Sequence, residues 1–175
     1  EVIYVKEGGD SDWELMTLDH GFTPEMAVGT IEAAMNLVFY YHNNTDVVID
    51  AILVAKGNYE ESVYIGDDIR LIGACPEETQ LTLNSFSDFA VLLYNDGRKS
   101  LENFSIHGVN MGVKVVGVGD AELTNVEMNG QMLLLDDASL YSNEGFVSTR
   151  AVLSQITIRD SDVAPSAISV LGADT

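Results

Sequence analysis

A single cysteine, Cys75, stands among 175 residues, which excludes an internal disulfide. No second cysteine or close histidine pair supplies zinc-ligand spacing, so a soft-metal site is not expected either. Basic residues are scarce. Eight Lys and Arg face 28 Asp and Glu, a formal net charge of −20. A field of that sign repels phosphate backbones and anionic lipid surfaces, so nucleic acid is not an expected partner. Long apolar runs are missing too, the longest falling far short of the about 20 residues that span a bilayer, and membrane insertion is not expected. What is present is a chain that is 46% hydrophobic and long enough for one domain with a sizeable core. Its acidic excess reads as a solvated surface with carboxylates available to divalent cations.

The chain opens at Glu1 on a strand-like Val-Ile-Tyr-Val run instead of a basic region followed by an apolar one. That start is expected of a secreted chain whose signal peptide has been removed, or of an excised domain. The polar stretch from Glu7 to Asp12 contains two glycines and reads as a loop. Thr23 as N-cap, Pro24 at the first helical position and Glu25 in the first turn then predict a helix that ends near His42. Val28, Ile31, Met35 and Val38, at spacings of three and four, give it an apolar face. Everything after it is a series of short apolar runs between turn residues, among them Ile52–Ala55, Val63–Ile65, Ile69–Ile72, Leu81–Leu83 and Ala90–Tyr94.

A repeat organises those runs. Ser100-Leu-Glu-Asn-Phe-Ser-Ile-His-Gly108 returns 22 positions later as Glu122-Leu-Thr-Asn-Val-Glu-Met-Asn-Gly130, and a looser copy begins at Val152. Between the copies lie Val113–Val116, Met132–Leu135 and Ile168–Leu171. A period in the low twenties with three short strands per period predicts an all-β solenoid, a right-handed parallel β-helix of about five coils with an N-terminal amphipathic capping helix. Leucine-rich repeats have a similar length, but the helical or 3₁₀ turn of their framework is missing here. Residues 1–46 would form the strand, loop and capping helix, and residues 47–175 the coils, in one domain overall. Within the repeat Phe104, Ile106, Val126, Met128, Ile156 and Ile158 alternate with Ser105, Glu127 and Thr157, so the first set is expected inside and the second on an exposed column.

The stretch from Ile52 to Ile65, with its Gly57-Asn-Tyr59 turn, and the stretch from Ile69 to Thr79, with its Leu71-Ile-Gly73 turn, resemble the first coils of the pectin lyase-like superfamily. The Tyr4-Val5 strand, the Gly9-Asp-Ser-Asp12 loop and the amphipathic helix are similar to the usual entrance of its secreted members. The resemblance implies a secreted or cell-surface protein. The superfamily includes pectate lyases, pectin methylesterases and polygalacturonases, but the motifs matched here are turns and core positions of the scaffold, which do not carry activity.

The exposed column supplies the candidate binding residues: Ser105 and His107, then Glu127 and Asn129, then Thr157 and Arg159. An acid or base, a carboxylate and a guanidinium on neighbouring strands suit a glycan. Asp10, Asp12 and Asp19 in the entrance loop offer oxygen ligands for calcium, without the complete EF-hand spacing. Asn103 and Asn125, at equal repeat positions, are expected to satisfy backbone groups at a turn and to stack as a ladder. Cys75, His20, His42, Trp13, Tyr40 and Tyr41 read as packing or surface residues without catalytic partners. No complete catalytic set emerges. The expected function is a non-enzymatic extracellular module for adhesion, glycan recognition or structural display. The alternatives are a fragment of a polysaccharide lyase or esterase, or a fibre subunit that stacks on another copy or coil through an open C-terminal edge.

Overall fold

The computed structural model describes residues 1–10, 20–66, 68–83, 89–94, 97–107, 111–116, 119–129, 132–136, 149–154, 157–159 and 168–171, and beyond Met128 its description is of backbone alone. Strand β1 (Val2–Asp10) is followed by a 3₁₀ turn (Pro24–Met26) and helix α1 (Ile31–Asn44). Then come β2 (Ala51–Val54), β3 (Gly57–Tyr59), β4 (Val63–Ile65), β5 (Arg70–Gly73), β6 (Thr79–Thr82), β7 (Val91–Leu93) and β8 (Lys99–His107). The last are β9 (Met111–Val116), β10 (Gly119–Asn129), β11 (Met132–Asp136), β12 (Thr149–Ser154), β13 (Thr157–Arg159) and β14 (Ile168–Leu171).

Among the described residues every strand pairing is parallel, and the strands fall into two sheets. The nine-stranded sheet runs β1-β2-β5-β8-β10-β12, with β6 and β13 attached to the second halves of β8 and β10 and β3 attached to β6; the five-stranded sheet runs β14-β11-β9-β7-β4. The repeat sets the register: Leu71 pairs with Leu101, Leu101 with Leu123 and Leu123 with Leu153. These partners are 30, 22 and 30 positions apart, so the pairing holds while the length between partners varies.

This arrangement corrects the expected architecture. The described residues form a mixed α/β protein of two parallel sheets and one helix, and no closed solenoid is seen, so the all-β, right-handed parallel β-helix is not what they show. The strand orders of the two sheets stay separate, and α1 contributes Ile31, Ala33, Ala34, Leu37 and Tyr41 to the core that the strands share. The helix also begins later than Pro24. Thr23 does cap a turn, its Oγ1 accepting from Met26 N at 3.3 Å, but that turn is a single 3₁₀ turn. Val28 bridges to Val5 and Asp10, and Gly29 N donates to Asp10 O at 2.7 Å, which holds the chain extended until Thr30 caps α1 through Ala33 N.

The alternation in the repeat holds where side chains are described. Phe104, Ile106, Val126 and Met128 are fully buried beside Leu101 and Leu123. Burying them supplies the main driving force for stacking, at about 1.5–3 kcal/mol for each large apolar side chain. Asn103 (φ 61°) and Asn125 (φ 54°) sit in the left-handed region and turn β8 and β10 in mid-strand. Asn125 Nδ2 donates to Asn103 Oδ1 at 2.9 Å, and Asn103 Nδ2 to Gly73 O at 3.3 Å, forming the anticipated ladder. Gly73 is required there because a Cβ would strike the Asn103 carbonyl. Ahead of each asparagine the strands pair with β5 and β12; after it they pair with β6 and β13.

Candidate functional site

The turn at Asn103 and Asn125 divides the outer face of the large sheet into two polar regions. Ahead of the turn, Arg70 lies opposite Ser100 and Ser100 opposite Glu122, while Glu102 lies opposite Thr124. Leu101 and Leu123 point inward between them, so strand alternation sends the polar residues outward. Together with Asp50, Asp68, Arg98 and Lys99 they line a cleft of about 380 Å³. Arg70 reaches diagonally to Glu102, with Nη2 at 3.0 Å and Nε at 3.3 Å from Oε1. Ser100 Oγ donates to the same oxygen at 3.0 Å. Asp68, itself left-handed at φ 56°, accepts from Arg98 N at 3.1 Å and fixes the approach to β8.

The charge in this cleft is unlike the rest of the chain. Among the described residues, three of the eight basic residues, Arg70, Arg98 and the buried Lys99, line it with four carboxylates, a near balance within a chain of net charge −20. The Arg70 side chain is 57% exposed and that of Glu102 21%, and an ion pair this open is worth about 0.2–1 kcal/mol. Donors and acceptors side by side match a ligand whose groups both donate and accept, as hydroxyls do.

Beyond the turn lies the column expected from the sequence. The structure brings Ser105 and His107 together, Oγ to Nε2 at 3.0 Å, and puts Glu127 opposite Ser105. Glu127 lies opposite Thr157 and Asn129 opposite Arg159, so the irregular third copy keeps the register. Gln80 and Thr82 join on the other side, opposite Ser105 and His107, and Thr82 Oγ1 donates to Asn58 Oδ1 at 2.7 Å. One member departs from expectation. Ser105 is 4% exposed, because its short side chain stands between Gln80 and Glu127 on the adjoining strands.

Of the three aspartates proposed for calcium, Asp10 ends β1, while Asp12 and Asp19 lie outside the described residues. Among the described residues no three His, Cys, Asp or Glu side chains gather to hold a metal. The Cys75 thiol is pushed up from its usual value, first by desolvation and then by Glu77 and Glu78, against an opposing backbone bond from Glu78. A raised thiol is a poor nucleophile. Tyr41 is buried and packs edge-on against Phe22 at 5.2 Å and Tyr40 at 5.6 Å; His42 sits in the last turn of α1, and Trp13 is outside the described residues.

Sequence reasoning missed the cleft. The signal was there, since the alternation used for Phe104 and Ile106 continues leftward through Ser100-Leu101-Glu102 and its copy Glu122-Leu123-Thr124. No helix among the described residues is long and apolar enough to cross a membrane. No family model, curated protein or solved structure matches the chain, so the resemblance to the pectin lyase-like superfamily rests on the motifs quoted for it.

Proposed function

We propose that this chain is a non-enzymatic recognition module for carbohydrate, working in an extracellular or cell-surface setting where polysaccharide is met. The observation that carries the reading is the Arg70–Glu102–Ser100 network in a cleft of nearly balanced charge. Saccharide hydroxyls accept from the guanidinium and donate to the carboxylates, and a polymer extends from there past His107 and Glu127 along parallel strands about 4.8 Å apart. A second reading comes from the same cleft: Glu102 and Glu122 beside Arg70 are groups a polysaccharide lyase or esterase uses to move protons.

A glycan array probed with the purified chain, with calcium and with chelator, separates the two. Saturable binding without cleavage, lost in Arg70→Ala and Glu102→Gln, is the expected result. Cleavage of a bound acidic polysaccharide moves the assignment to the enzyme. No binding in either condition removes both.

A further inference from the structure

We infer that the groove between α1 and β4 binds an organic ammonium ion, a primary amine on an apolar stem, because Glu32 and Glu60 stand there with Tyr64, Tyr94, Phe39 and a buried, unpartnered Ser62 hydroxyl. The site is separate from the cleft and does not depend on the carbohydrate reading. β4 is the edge strand of the five-stranded sheet, and α1 packs along it. Their junction leaves a groove of about 550 Å³, within the ordinary range for small-molecule sites.

Its lining combines two features that favour the same ligand. Aromatic surface is open, with Phe39 73% exposed and Tyr64 50% exposed and held edge-on by Phe89 at 5.5 Å. Three carboxylates, Glu32, Glu60 and Glu61, line the groove together with Met35, and among the described residues no Lys, Arg or His does. Aromatic faces and carboxylates both attract a cation, and Met35 and the rings cover an apolar stem.

The carboxylates are not equivalent. Glu61 is committed to the fold: Oε1 accepts from Ile31 N at 2.9 Å and Oε2 from Glu32 N at 2.8 Å, so it caps α1 from the neighbouring loop. Glu32 and Glu60 are exposed and carry the attraction for a ligand. Ser62 supplies an independent sign. Its Oγ is buried and has no hydrogen-bond partner among the described residues, an omission rare in folded proteins that leaves a spare acceptor in a residue of the groove's lining.

The test is calorimetric titration of the intact chain with three probes. Cadaverine presents a free diamine, N-acetyl-lysine methylamide presents the same ammonium on a polypeptide side chain, and pentane-1,5-diol is the uncharged counterpart. Saturable binding of at least one amine and none of the diol is expected. Tighter binding of cadaverine assigns a free amine as the ligand; tighter binding of the lysine derivative assigns a lysine side chain of another protein. Glu60→Gln and Tyr64→Ala, both at exposed positions, each weaken binding about tenfold. Tyr64→Phe keeps the ring and retains affinity. Glu77→Gln, on the turn before β6, and Arg70→Ala, in the other cleft, leave it unchanged. Equal loss in Glu77→Gln and Glu60→Gln would reduce the attraction to diffuse charge and overturn the proposal. Binding of the diol, or no saturation with either amine, would overturn it as well.

Discussion

The cleft on the large sheet and the groove at the edge of the small one are both concave and both bear carboxylates, yet they use them differently. In the cleft Glu102 is turned toward its own neighbours, taking Arg70 and Ser100 on one oxygen, and three cations stand among four acids. Among the described residues no basic side chain lines the groove, and there Glu61 is occupied by backbone N–H groups of α1. Local balance in one place and local excess in the other, on one strongly acidic chain, mean that overall charge describes neither. It is the strand register that decides which acids meet a base.

The sharpest way to break the comparison is at the asparagine turn. Asn103→Ala puts at φ 61° a residue without the short polar side chain that lets asparagine take the left-handed region, and it leaves the Asn125 amide without its acceptor. A loss of about 2–3 kcal/mol is expected, with carbohydrate binding impaired and amine binding retained. Asn103→Gly restores the backbone freedom without the ladder and should recover about 1 kcal/mol of that loss in denaturant titrations.

Glu61 tests the other region. Removing its carboxylate in Glu61→Ala strips the acceptors from Ile31 N and Glu32 N and should cost about 1–2 kcal/mol, loosening α1 from β4 while the cleft is unaffected. Its acidity gives a second readout. Burial holds the carboxyl above its ordinary value of 4.5, outweighing the two N–H bonds that lower it, and Glu32 pushes the same way. The folded state therefore takes up this proton more readily than the unfolded chain. Its contribution to stability grows as pH falls from neutrality toward 4.5 and is lost as pH rises through the folded value. Melting temperature should climb on acidification over that window, and less steeply in Glu61→Gln. Smallest is the cleft's own ion pair, where Arg70→Ala should change stability by less than about 1 kcal/mol even as it removes carbohydrate binding.

Much of the interior was legible because alternation and repeat are local signals. The inward positions Phe104, Ile106, Val126 and Met128 follow from alternation with their neighbours in sequence, and the pairing of Leu101 with Leu123 from their equal places in the 22-residue repeat. The architecture did not follow, since alternation says which side chains are inside and nothing about how strands are divided between sheets, or that a helix shares their core. The start of α1 was equally hidden: Thr23 and Thr30 are both good caps, and the choice is made by Val28 and Gly29 binding to distant β1. The cleft needs Arg70 and Glu102, 32 positions apart, to be brought together by strand pairing before it exists at all.

Leucines pair with leucines across the sheet whether 22 or 30 residues separate them. Length is thus a free variable between fixed strands, and the connections are where such a protein can gain or shed sequence without resetting anything it has already aligned. An insertion between two paired strands is therefore expected to leave the leucine register intact, and an unchanged denaturation midpoint would show it.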